Sequence, residues 1–255
     1  MRESVLTIES PDGRIRAHRA APPGGEPAPA VIVLQEAFGV DDHIRSVCRR
    51  LAREGYVAVA PELYHREGDG ITLGYGDFSR VRPHLARLDN AGIESDLQAA
   101  LRALRSDPDV DGARIAALGF CAGGFAAFLA ACRTDVAAAV CFYGGGIVRE
   151  RPGMRLTPLL GEAGRIHCPL LAFFGEEDTS IPAADVAALG DGLRALERSF
   201  EIVSYPGAGH GFFNDARDSY RASAAVDAWQ RSLAFLARRL LADGPDGQSP
   251  GTMPA

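Results

Sequence analysis

Along this chain, short apolar runs alternate with amphipathic stretches at helical spacing. Residues 30–34 read Ala-Val-Ile-Val-Leu, with no polar break. A strand covered on both faces carries such a run, because neither face meets water. Further strands are predicted at 56–60, 114–118, 136–142, 170–174 and 200–205. Between them, helices are predicted over about 41–54, 79–88, 93–105, 122–132, 183–197 and 217–241. In the last of these, Val226, Trp229, Leu233, Leu236 and Leu240 recur at helical spacing. Residues 5–8 alternate apolar and polar, and Pro11-Asp12-Gly13 turns the chain into 14–19, which predicts an N-terminal hairpin. Pro22 to Pro29 is a surface connection, and 61–78 and 144–169 are Gly-containing loops. Strands alternating with helices predict one α/β domain over 1–242, its mostly parallel central sheet flanked by helices on both faces. The Gly, Pro, Asp and Ser of the tail from Asp243 predict disorder.

Composition narrows the chemistry. All 27 basic residues are arginine, and there is no lysine. This excludes a Schiff-base lysine, hence pyridoxal-phosphate and lysine-aldolase chemistry. It equally excludes the P-loop and protein-kinase lysines. A formal charge of −6 argues against nucleic acid as partner. The N-terminus has no apolar run of signal-peptide length, and no segment approaches a membrane span. The five cysteines, Cys48, Cys121, Cys132, Cys141 and Cys168, are odd in number and form no Cys-x-x-Cys pair. Neither a disulfide framework nor a zinc knuckle is expected, and the setting expected is a reducing cytoplasm.

The sharpest motif is Gly119-Phe120-Cys121-Ala122-Gly123-Gly124, between an apolar strand and an Ala-rich helix. That is the context of a nucleophile elbow, with Cys in the place of Ser. The glycines on either side relieve crowding at a tight, strained turn. The helix N-terminus beneath the sulfur favours thiolate. On the hexapeptide alone, a packing turn around a buried Cys is an equal alternative.

A thiol nucleophile needs a base, and the base an orienting carboxylate. Asp178 follows the 170–174 strand, beside Glu176 and Glu177, which read as a solvated pair. His210 lies between glycines on the loop after the 200–205 strand, whereas His18, His43, His65, His84 and His167 read as surface or packing residues. Three motifs in the order Cys, Asp, His at three strand ends favour a triad over packing. The loop Gln35-Glu36-Ala37-Phe38-Gly39 follows the 30–34 strand and is placed to supply one oxyanion-hole N–H, from Ala37, with Ala122 supplying the other. A carboxylate at Glu36 would repel a developing oxyanion unless it has another partner. The alternative role for Glu36 is a structural ion pair with an arginine.

With Ala60-Pro61-Glu62-Leu63-Tyr64, Phe142-Tyr143-Gly144, and Gly207 to Phe212 added, the chain resembles the dienelactone hydrolases of the α/β-hydrolase superfamily over residues 30 to about 235. The resemblance implies a Cys121–His210–Asp178 triad and an acyl-thioester intermediate. It implies that Glu36 contacts the resting thiol and helps generate thiolate. No metal or cofactor is implied; the expected partner is a small ester or lactone, with no nucleic acid or membrane, and the chain is a monomer or small homo-oligomer. Members acting on dienelactone carry an arginine four residues after the catalytic His; here that position is Asn214. A second family arginine is matched to Arg80 or Arg82. Phe38 and Tyr143 are expected to border the substrate, Tyr143 with packing as an equal alternative. The segment from Arg66 to Asp77 is longer and richer in Gly than the family pattern. The competing readings are a non-hydrolytic ligand-binding member of the fold and a cysteine thioesterase or peptidase.

Overall fold

A computed structural model describes residues 1–241; the expectation of a disordered tail from Asp243 lies outside the described residues. The strands are β1 (Arg2–Ser10), β2 (Gly13–Ala21), β3 (Ala28–Leu34), β4 (Val57–Pro61), β5 (Val110–Phe120), β6 (Ala138–Phe142), β7 (Leu170–Gly175) and β8 (Phe200–Tyr205). The helices are α1 (Asp42–Arg53), α2 (Phe78–Leu85), α3 (Asn90–Arg105), α4 (Ala122–Arg133), α5 (Ala183–Ala195) and α6 (Ala222–Leu240).

All eight strands form one sheet in the order β1-β2-β4-β3-β5-β6-β7-β8. The β1–β2 hairpin runs antiparallel to its neighbour β4; the six strands from β4 to β8 in that order are parallel. The apolar run of β3 lies at the centre, with Ala30 through Leu34 fully buried. Burying each of its Val, Ile and Leu side chains contributes about 1.5–3 kcal/mol. The helices α3 and α4 pack on one another and on β5. Arg50 of α1 stacks 3.9 Å over the ring of Trp229 in α6.

Most element ends shift by a few residues from the sequence reading, and two differences have a clear cause. Helix α6 begins at Ala222, not 217, because successive turns (Asn214 N–H to Gly211 O, Arg217 N–H to Asn214 O, Tyr220 N–H to Arg217 O) carry the chain inward first. The 144–169 loop contains a 3-10 turn at Leu160–Arg165, too short to leave a periodic signal.

The chain leaves β3 toward β4 on one side and returns to β5 on the other. At such a reversal the loops after the two central strands diverge and open a crevice beyond their carboxyl ends. Glu36 follows β3 and Cys121 follows β5, so both lie at that crevice.

Candidate active site

Cys121 has φ 54° and ψ −113°, a left-handed backbone for a non-glycine residue. It caps the N-terminus of α4 without a side-chain bond, so the first amides of that helix stay free to act on the site. The turn is tight enough to exclude side chains on either side. A Cβ on Gly119 would lie 2.0 Å from the carbonyl oxygen of Gly123, and one on Gly123 would lie 2.1 Å from that of Leu34. These glycines let the turn, helix α4 and the end of β3 meet backbone to backbone.

The other two triad candidates converge on the same point. A Cβ on Gly175 would lie 2.2 Å from Ala208 O, so the loop after β7 is pressed against the loop after β8. The N–H of Glu177 donates to Ala208 O at 2.9 Å and fastens them. His210 Nδ1 is 2.7 Å from Asp178 Oδ2. The other oxygen, Oδ1, accepts from Ser180 N–H (2.7 Å) and Ile181 N–H (3.2 Å). Both carboxylate oxygens are thus held, and the imidazole is held in turn. Glu176 and Glu177 are exposed.

Electrostatics couple thiol and imidazole. Burial pushes the Cys121 thiol up, but the charge and hydrogen bonding of His210 outweigh it, and the net shift is downward. Burial works against a charged His210, yet Cys121 and Asp178 push its imidazolium up to about 10. Both shifts favour a thiolate–imidazolium pair. The other four cysteines are buried, and burial raises each of their thiols, Cys168 to about 11 and Cys132 to about 12.

Cys121 opens into a cavity of about 300 Å³. Ala37, Ala122 and Phe38 line it, with His210, Ser180, Phe78, Leu85, Met154 and Leu156. Among the described residues, neither Ala37 N–H nor Ala122 N–H has a protein acceptor, so both are free to donate. The Ala37 loop is fixed from behind. Tyr64 Oη donates to Ala37 O at 2.9 Å, and Gln35 Oε1 accepts from Leu63 N–H at 3.0 Å. The Gln35-Glu36 and Leu63-Tyr64 motifs therefore form one unit.

Several sequence expectations are relocated. Arg80 and Arg82 are exposed on α2 and do not line the cavity; Arg82 extends instead toward Gly153. The arginines at the cavity are Arg151 and Arg217. Arg217 lies seven residues after His210, beyond the position where the family pattern places its arginine, and its guanidinium sits 5.3 Å above the Phe38 ring. Arg151 comes from the aperiodic 144–169 loop, which gives no local signal for it. Asn214 is fully buried and faces Glu36, not the cavity. Tyr143 is also fully buried; its ring packs edge-on to His210 with centroids 5.1 Å apart, behind the site. None of the other five histidines lines the cavity.

Glu36 is 1% exposed and its carboxylate is engaged. Oε2 accepts from Asn214 Nδ2 at 2.7 Å, and Oε1 from an Arg217 guanidinium nitrogen at 3.5 Å. Among the described residues Glu36 makes no hydrogen bond to Cys121, so the contact with the thiol implied by the family resemblance is replaced by an amide and an arginine. Among the described residues, no group of three or more His, Cys, Asp or Glu could hold a metal ion, and no helix is long and apolar enough to cross a membrane.

Comparison with known proteins follows the same lines. The model of the dienelactone hydrolase family matches residues 15–240. A provisionally named carboxymethylenebutenolidase of Synechocystis sp. is 40% identical over 233 residues, covering 91% of this chain and 94% of the relative. The carboxymethylenebutenolidase of Pseudomonas putida is 33% identical over 237 residues, covering 91% and 95%. A crystal structure of a provisionally named dienelactone hydrolase from Klebsiella pneumoniae superposes with TM-score 0.86 at 36% identity, covering 93% of this chain and 98% of that one.

Proposed function

Because this chain belongs to the dienelactone hydrolase family, whose members act on esters or lactones, we propose that it cleaves a small carboxylic ester or lactone through an acyl thioester on Cys121. The observation that carries this reading is the 2.7 Å Asp178–His210 contact behind a cysteine on a strained elbow. Strain of that kind costs on the order of 1–3 kcal/mol and persists where the surrounding structure enforces it, as at reacting residues.

The Cys121 thiolate attacks the carbonyl carbon, and the new C–S bond displaces charge onto the carbonyl oxygen. The Ala37 and Ala122 N–H groups receive that oxyanion; removing one such donor typically costs about 10²–10³ in rate. Collapse breaks the C–O bond, and the leaving oxygen takes the proton of the His210 imidazolium at Nε2. An enolate leaving group needs that proton less. Neutral His210 then removes a proton from water, hydroxide adds to the thioester, and the second collapse expels the thiolate and restores the ion pair. The sum is ester plus water to acid plus alcohol.

Arg151 and Arg217 give the cavity wall two cationic groups above an apolar floor. That combination suits a compact apolar substrate bearing a carboxylate. The departure at Asn214 therefore does not remove anion recognition, since the residue lies outside the cavity. The test is mass spectrometry of the chain quenched during turnover of a short-chain chromogenic ester. An acyl group on the Cys121 peptide supports the reading. Turnover undiminished in Cys121→Ala would sink it.

A further inference from the structure

Two departures from the family pattern touch each other. One is Asn214. The other is the Gly-rich segment after Tyr64, which carries Tyr75. Asn214 Nδ2 donates to Glu36 Oε2 at 2.7 Å and to Tyr75 Oη at 3.2 Å. Tyr75 Oη in turn donates to Asp41 Oδ2 at 2.5 Å. The remaining Asp41 oxygen accepts from Ile44 N–H at 3.0 Å and caps α1. A continuous chain of hydrogen bonds thus runs from the N-terminus of a helix to the carboxylate beside the thiol.

The chain has one sense. Asn214 Oδ1 accepts from Ala216 N–H at 3.0 Å, so its amide hydrogens both point away from that bond. Flipping the amide would set its oxygen against the Glu36 carboxylate. Both amide hydrogens are used, one on Glu36 and one on Tyr75. The Tyr75 ring is fixed by an edge contact with Phe38, centroids 4.6 Å apart, and the backbone beside it by Leu73 N–H donating to Phe38 O at 2.9 Å. The segment that supplies Tyr75 is thereby stitched to the loop that supplies the Ala37 N–H.

We propose that Tyr75 is a positioning residue: through Asn214 it holds the Glu36 carboxylate toward Arg217 and away from the Cys121 sulfur. The proposal rests on the reading of Cys121 as nucleophile. Its physical content is simple. A buried anion free to approach the sulfur would oppose both the thiolate and the oxyanion that follows. Held against Asn214 and Arg217, the same anion is neutralised. The charged and titratable groups around Glu36 are Arg217, His43, Tyr75, Tyr143 and Cys121. Those around Cys121 are His210, Glu36, Arg151, Tyr64 and Tyr143.

Tyr75→Phe removes one oxygen and keeps the ring. The rate of Cys121 alkylation by iodoacetamide is measured against pH, beside kcat and KM for a chromogenic ester. The thiol titration should move up by about half a unit or more, and kcat should fall about threefold to tenfold with KM within about twofold. In a Glu36→Gln background, where the charge is gone, Tyr75→Phe should change neither. Asp41→Asn, at the far end of the chain, should shift the titration in the same direction by less, and supplies the measurement if Tyr75→Phe does not fold. An unmoved titration in both variants overturns the proposal, as does a shift that persists with Glu36→Gln. If Cys121→Ala keeps turnover, the nucleophile assignment fails instead, and the alkylation profiles still report separately on Tyr75.

Discussion

The strand-end loops and the cavity wall are made in different ways. Cys121, Asp178 and His210 sit on short turns directly after β5, β7 and β8. Each turn is dictated by its own neighbours: glycines that admit another backbone, and a carboxylate that takes the next amides. The wall is made by α2 and by the loop around Arg151, Met154 and Leu156, which meet over the cavity from segments far apart in the chain. No local turn rule specifies that meeting. The difference teaches that the proposed reacting groups are fixed by local geometry and the proposed specificity groups by tertiary convergence. Variants in the two regions should therefore fail differently.

The largest effect belongs to the elbow. Cys121→Ala should lower kcat by about 10⁴ or more, by analogy with the loss of any nucleophile that works as part of a unit. Its thermal melt should stay within a few degrees, because only one sulfur atom at the cavity wall is lost. Cys121→Gly should be equally inactive and more stable than the Ala variant, since glycine adopts φ 54° without strain. Calorimetry on the two variants decides this; equal melting would mean that the elbow stores no strain.

Next comes the orienting carboxylate. Asp178→Asn should cut kcat by about 10²–10⁴ while leaving KM nearly unchanged. The pH profile should change too. The ion pair exists above the lowered thiol pKa and below the raised His210 value, about 10. A raised imidazolium pKa stabilises the fold fully below the unfolded value near 6.5, and that contribution is lost as pH rises through about 10. Removing the Asp178 charge lowers the His210 value, so the alkaline limit of activity should move down. A limit that stays in place would deny Asp178 its part in holding the imidazolium.

These two regions also mark how far the sequence could be read. The six parallel strands were legible because continuous apolar runs such as residues 30–34 have one economical use. The elbow was legible because Gly119 and Gly123 have a steric reason to be glycine. Phe38 lines the cavity, one residue after Ala37 on the loop that follows β3. Arg217 was missed because sequence distance from His210 was taken as a guide, whereas the turns at 211–220 bring it back toward Phe38. The expectation for Tyr143 rests on its place at a strand end, and that for Asn214 on its place four residues after His210, where the family pattern has arginine. Their burial behind His210 and Glu36 is a tertiary fact that place in the chain cannot report.

Thiol selectivity sharpens the comparison at a smaller scale. At pH 8, Cys168 lies about three units below its raised value and Cys132 about four, so each is about 0.1% thiolate or less. Cys121 should then alkylate at least about a hundredfold faster than any other cysteine. Peptide mapping after brief iodoacetamide treatment checks this. Comparable labelling of Cys168 or Cys132 would place the reactive thiol away from the cavity.

In the wall, Arg151→Met and Arg217→Met should each lower kcat/KM for a carboxylate-bearing lactone by about tenfold relative to its methyl ester, the worth of one charge-assisted hydrogen bond. Arg217→Met should also disturb Glu36, so its loss should extend in part to the neutral ester. Arg151→Met should not. Equal loss on both substrates with Arg151→Met would remove that arginine from anion recognition.

The smallest effect expected is at the arginines of α2. Arg80 is exposed and contributes nothing to the cavity lining. Exposed arginines outside a site change substrate binding little, because solvent and salt screen their charge. Arg80→Ala should keep kcat/KM for the lactone and for its methyl ester within about twofold of the parent. Arg82 differs in one respect: its guanidinium lies against Gly153, on the loop that carries Arg151 and Met154. Arg82→Ala removes that support without removing a cavity charge. Its effect should be shared by both substrates and stay within a few-fold. A selective loss of the anionic lactone in Arg80→Ala would mean that α2 turns inward when substrate binds. Kinetics of the two single variants on the two substrates separates these outcomes, since only a charge facing the carboxylate can discriminate acid from ester.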